Sequence, residues 1–204
     1  MSVNRLFNKT LQLLGFITVI CFASIAISGC GDKPPKPDKI NYYLQKIKEA
    51  PGNPVNFTNL GWTLYKEGDL QEAVKWNQKA LQINKNNLTA RYNLALIYFD
   101  QKDFPKSKQE LTAILRLQPN DPLALLKLGE TNLKLNKYEE ARLAFKTYLK
   151  QDMTSANALK GLGDSYVGLG QVEKAVFSYK LALKYVPDYQ EAKKALKILE
   201  DTKP

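Results

Sequence analysis

No histidine occurs among the 204 residues. That absence removes the side chain that most often serves as general base, zinc ligand and switch near neutral pH. Cysteine is nearly as scarce: Cys21 and Cys30 are the whole supply, and both lie near the N-terminus. Neither can staple the rest of the chain, and no Cys/His cluster exists to ligate a metal. No metal or cofactor is expected, and no enzyme. Arginine-rich helices and nucleic-acid reader motifs are also missing, although the net charge is +10 and the pI near 9.4. Lysines are spread along the whole chain, so nucleic acid is not an expected partner. Surplus lysine instead suits a secreted protein that must stay soluble beside anionic lipid or wall polymer. With 44% hydrophobic and 25% charged residues, the composition is that of a folded body.

The first thirty residues read as an export signal. Arg5 and Lys9 form a positive start, and Leu13 to Ile27 then runs LLGFITVICFASIAI without a charge. A positive end followed by a short apolar core is the layout of a secretory segment, with the positive end kept in the cytoplasm. A permanent span needs roughly 20 apolar residues, so this run is marginal for one. It ends on Ile27-Ser28-Gly29-Cys30, an aliphatic residue, two small residues and a cysteine, which resembles a bacterial lipobox. The resemblance implies that residues 1–29 are a cleaved signal and that the Cys30 sulfur carries a diacylglyceryl group. Two or three acyl chains, at about 0.8 kcal/mol per buried CH₂, would hold the protein to a membrane. The alternative is an uncleaved signal anchor starting at Met1. Both readings export the body, to the outer face of the cytoplasmic membrane or to a periplasm and outer membrane. Pro34, Pro35 and Pro37 make residues 30–38 an extended tether of about 3.1 Å per residue.

The body is periodic. Leu60-Gly61, Leu94-Ala95, Leu128-Gly129 and Leu162-Gly163 recur at intervals of 34. That register divides the chain into repeats over 54–87, 88–121, 122–155 and 156–189. Small residues mark places where two helices approach closely, and large apolar ones fill the space beside them. The first repeat carries Phe57, Leu60, Gly61, Leu64, Ala73 and Ala80; the fourth carries Leu159, Leu162, Gly163, Tyr166, Ala175, Tyr179, Ala182 and Pro187. Ser107 and Ile114 depart from the pattern in the second repeat, Asn132 and Tyr148 in the third. Asn53-Pro54 and Asp121-Pro122 place a cap before a proline at the first helical position. Asp69 with Glu72 reads as an acidic capping box, and Pro105 as a tolerated helix start. Gly68 and Gly170 fall in turns.

These positions identify the body as a tetratricopeptide repeat array by resemblance. The fold this implies is all-α, a right-handed α-solenoid of helical hairpins. Residues 39–53 would be an N-terminal half-repeat helix and residues 190–204 a capping helix and tail. The resemblance also implies a concave groove lined by the first helix of each hairpin. Carried onto this chain, the groove offers Trp62 and Tyr65, then Tyr92, Asn93, Leu96 and Phe99, then Leu126 and Lys127. The fourth repeat offers only small and polar residues there, so the first half is expected to be the more adhesive. A protein or peptide partner anchored on Trp62 is the expected ligand. Glu130 and Asp164 are the one candidate acid pair, and each has a lysine nearby (Lys127, Lys160), which points to a charge-paired ridge. The expected function is an envelope assembly or scaffolding lipoprotein; the alternative is an accessory subunit that holds anionic polymer or lipid through its lysines.

Overall fold

The computed structural model describes residues 38–201. Cys30, the export segment and most of the tether lie outside the described residues. Every element among the described residues is a helix. In chain order they are α1 (Lys39–Glu49), α2 (Pro54–Lys66), α3 (Leu70–Ile83), α4 (Leu88–Asp100), α5 (Phe104–Leu117), α6 (Pro122–Lys134), α7 (Tyr138–Leu149), α8 (Ala156–Gly168), α9 (Val172–Tyr185) and α10 (Gln190–Asp201). None is long and apolar enough to cross a membrane.

The first helix of each hairpin starts in the same way. Asn53, Asn87, Asp121 and Ser155 stand 34 residues apart, and each accepts a hydrogen bond from a backbone N–H in the first turn. A side-chain oxygen thereby satisfies one of the donors that a helix start leaves unpaired. Asn87 and Ser155 are caps that the proline-marked pairs alone did not reveal. Second helices divide two and two. Asp69 and Asp103 cap α3 and α5 through Glu72 N and Lys106 N, whereas Lys137 and Gln171 make no side-chain cap on α7 and α9. The capping box at Asp69 is half made: Asp69 N donates to Leu64 O, and Glu72 turns to Lys75 instead. Pro105 lies in the first turn of α5, where its missing N–H costs nothing.

The turn between paired helices needs a left-handed residue, again every 34 positions. Gly68 (φ 87°) and Gly170 (φ 69°) supply it without strain, but Lys102 (φ 61°) and Asn136 (φ 55°) hold the same conformation in the middle repeats. The turn geometry is dictated by hairpin closure, and tertiary packing overrides local preference there.

Each hairpin packs on the next, so the core is a series of overlapping clusters. Leu60, Leu64 and Ala73 meet Ile97 of the following repeat, with Ile40, Tyr43, Leu44 and Ile47 of α1 closing the N-terminal side. Ala95, Leu111 and Ile114 meet Ala124, and Ala141 and Phe145 meet Ala158. At the far end Ala192 of α10 joins Leu159 and Ala182. The departures from pattern are absorbed locally. Ser107 is buried with its hydroxyl 3.4 Å from that of Thr131, and Tyr148 packs on the Phe145 cluster. Asn132 is only 1% exposed, and its Oδ1 has no hydrogen-bond partner.

Candidate partner-binding groove

Two kinds of contact join hairpin to hairpin: the second helix of one packs on the first helix of the next, and neighbouring first helices also touch, α2 with α4 and α6 with α8. One face of the solenoid is therefore built from α2, α4, α6 and α8, and the groove residues expected from the repeat lie on it.

In the first two repeats that face is covered by its own aromatic side chains. Trp62 and Tyr65 lie with ring centroids 5.1 Å apart, and Lys66 Nζ sits 5.3 Å from the Trp62 ring. Tyr65 donates its hydroxyl to Asp100 Oδ2 at 2.5 Å. That hydrogen bond, with burial and the carboxylate charge, pushes the Tyr65 phenol up to about 12. Phe99 meets Phe104 edge-on at 5.4 Å, and Lys127 Nζ lies 4.5 Å from the Phe99 centroid.

The eight expected residues therefore separate. Trp62 with Tyr65, and Phe99 with Lys127, form two half-buried pairs whose members already hold one another, and Leu96 is half-buried. Tyr92 and Leu126 pack into clusters between hairpins. Asn93 is not a surface contact: at 5% exposure it donates to Asn77 Oδ1 at 2.9 Å and Thr58 O at 3.4 Å, tying the first repeat to the second. Its repeat position places it on the groove, whereas packing turns this short polar side chain inward.

The open space lies in the other half. A cavity of about 650 Å³ is enclosed by the ends of α4, α6 and α8 and by rings from the second helices. Gly161 and Gly168 make it possible. Asn59, Asn93 and Lys127 occupy the register position of Gly161, and Lys66, Asp100 and Lys134 that of Gly168. A Cβ at Gly161 would run into the Phe145 ring and one at Gly168 into Tyr138. The absent side chains let those rings form the cavity wall. Small residues in the fourth repeat thus make room for rings that line the cavity. The glycines were visible in the sequence, but the contribution of Tyr138, Phe145, Tyr179 and Tyr189 was not, because none lies on a first helix.

The polar floor of this cavity is internally neutralised. Glu130 accepts from Lys127 Nζ at 2.5 Å; Asp164 accepts from Lys160 Nζ at 2.7 Å and from the Tyr179 hydroxyl at 2.8 Å. Burial, then the Asp164 charge and hydrogen bond, hold the Tyr179 phenol far above its ordinary range. Glu130 and Asp164 are thus a charge-paired ridge. Among the described residues no group of three or more Cys, Asp or Glu is placed to hold a metal.

Comparison with known proteins agrees with this architecture. Models of the tetratricopeptide repeat match residues 64–130, 123–152 and 156–189. A TPR repeat-containing protein of Methanocaldococcus jannaschii is 26% identical over 163 residues, 79% of this chain and 28% of the relative. Human tetratricopeptide repeat protein 13 is 32% identical over 120 residues, 59% of this chain and 14% of that protein. The chain therefore spans under a third of the length of these relatives. Among solved structures, a tetratricopeptide repeat protein of Parabacteroides merdae superposes with a TM-score of 0.71 at 23% identity, covering 78% of this chain and 64% of that one. MamA of Desulfovibrio magneticus gives 0.68 at 19% identity, over 74% and 85%. These likenesses are of fold. With repeat models matched along the array and the helical hairpins in place, the chain belongs to the tetratricopeptide repeat family, whose solenoids are protein-interaction scaffolds.

Proposed function

We propose that this protein is a bacterial lipoprotein, tethered to the outer face of a membrane through acylated Cys30, that holds a segment of a protein partner on the face built from α2, α4, α6 and α8. The observation that supports the binding role most is the cavity of about 650 Å³ between the third and fourth repeats, an open site on an otherwise self-covered face. The anchor rests on the sequence Ile27-Ser28-Gly29-Cys30 after an apolar run. Catalysis has no part in this reading, since both carboxylates lining the cavity are held by lysines.

Two experiments test the two parts. Cys30→Ser should abolish incorporation of labelled palmitate and release the protein from membranes; unchanged labelling would remove the anchor. A photoreactive residue at Val167 should crosslink one defined protein in native membranes, and the same probe at Phe177 (on α9) should not. Equal crosslinking from both positions would dismiss the groove as the binding face.

A further inference from the structure

The cavity has two rims of different chemistry, and the rims follow from helix direction. First helices all run the same way, so the last turns of α4, α6 and α8 lie at one edge, together with the start of α7. That edge carries Phe99, Leu133, Lys134, Tyr138, Val167 and Gly168. It combines two rings, one of them packed on the glycine, with two aliphatic side chains and one ammonium group. At the opposite edge stand Asn157, in the first turn of α8, and Tyr189, just before α10.

Charge separates the groups further. Lys127 and Lys160 are committed to Glu130 and Asp164, and Asp100, the register equivalent of Lys134 one repeat earlier, accepts from Tyr65. Lys134 is exposed and is in neither the ion pairs nor the hydrogen bonds of the described residues. The cavity therefore presents one uncompensated positive charge beside an apolar corner. Val167 is itself 41% exposed, so that corner is uncovered.

We infer that this rim selects an extended partner segment in which a bulky apolar residue is flanked by acidic side chains. The apolar residue fills the corner lined by Phe99, Tyr138 and Val167, and a neighbouring carboxylate meets Lys134. Burial of the apolar group supplies the attraction, and the charge sets which sequences are accepted. A volume of about 650 Å³ exceeds one large side chain, so a segment of a few residues fits. This selectivity rests on the proposed groove function and gives it a ligand chemistry.

The test uses full-length protein in nanodiscs and three labelled, end-capped peptides. One is acidic and aromatic (Ser-Gly-Asp-Phe-Asp-Gly-Ser), one has lysine for both aspartates, and one has serine for phenylalanine. Fluorescence anisotropy should show saturable binding of the first, at least about tenfold tighter than either other peptide. Lys134→Glu should reverse the preference in favour of the lysine peptide, and Lys134→Gln should flatten it. Val167→Asp should weaken the acidic peptide by about tenfold, while Phe177→Ala, on α9 and outside the groove face, should leave it unchanged. Circular dichroism of the variants should match the parent, since Lys134, Val167 and Phe177 are all exposed. Equal affinity for the acidic and lysine peptides, a preference untouched by Lys134→Glu, or no saturable binding would overturn the inference. Crosslinking of a partner from Val167 would still stand in that case, so failure of this selectivity is distinguishable from failure of the groove function.

Discussion

The two halves of the array use one backbone plan and opposite side-chain strategies. In repeats one and two the groove face is filled from within: Trp62 lies against Tyr65, Tyr65 bonds to Asp100, and Asn93 bridges to Asn77. In repeat four the register equivalents of Asn93 and Asp100 are Gly161 and Gly168, and the rings of Phe145 and Tyr138 pack against them. Capping divides along the same line, with Asp69 and Asp103 on the second helices of the first half and uncapped Lys137 and Gln171 on those of the second. Aromatic content along a groove therefore does not by itself mark open surface, since here the rings are taken up by one another.

Removing the ring that floors the cavity should produce the largest effect. Phe145 is 1% exposed and packs against both Gly129 and Gly161. Phe145→Ala should cost about 3–5 kcal/mol, because glycines on either side cannot collapse into the void. Its register equivalent in the first repeat is Asn77, which is fully buried and hydrogen-bonded rather than aromatic. Breaking that pair through Asn93→Ala should cost about 1–3 kcal/mol, the price of stranding a buried amide oxygen. Urea titrations of the two variants measure both. If Asn93→Ala were the more damaging, the polar joint and not ring packing would be the stronger link between hairpins.

A smaller change of opposite sign is expected at Asn132. Its Oδ1 is buried without a partner, and a shallow cavity of about 300 Å³ borders it, lined also by Leu125, Leu128 and Leu143. Leu64 and Tyr98 occupy the same register position in the first half. Asn132→Leu should therefore stabilise the protein by about 1 kcal/mol, since it removes an unpaired acceptor and adds apolar burial. A lowered melting temperature would mean that the oxygen is satisfied by an ordered water worth keeping.

Much of this fold could be read directly from the chain. A period of 34, small residues facing large ones, and capped prolines all report local or nearest-repeat packing, and the starts of the four first helices at 54, 88, 122 and 156 followed from the period. The groove was legible only in part. Position in the repeat told which residues share the first-helix face, and it placed Trp62, Tyr65 and Phe99 there. It could not tell that Asn93 turns inward, because that depends on Asn77, sixteen residues away and across two helices. Nor could it show Phe145 behind Gly161, which is a contact between successive repeats. The pairing of Glu130 and Asp164 with lysines was legible because each partner lies one turn away on its own helix.

The finest test of the division between halves is to transfer a device from one to the other. Lys137 sits at φ −91°, ψ 67° ahead of α7, and Asp103 at φ −82°, ψ 66° ahead of α5. The backbone at 137 is thus already shaped for a cap that its own side chain cannot make. Lys137→Asp should accept the N–H of Glu140, as Asp103 accepts that of Lys106, and stabilise the third repeat by about 0.5–1 kcal/mol. The substitution also relieves Lys108, whose amine is held below its ordinary value by burial and by the Lys137 charge. Acidity checks the mechanism. Asp103 has its carboxyl held down, first by Lys106, so its contribution is present above the unfolded carboxylate range and lost as pH falls through the folded value. The gain from Lys137→Asp should fade over the same acidic window, read as the difference in melting temperature between variant and parent from pH 7 downward. A gain that persists after the carboxyl is protonated would assign the effect to removal of the lysine and not to the cap, leaving the capping contrast between the halves without energetic weight.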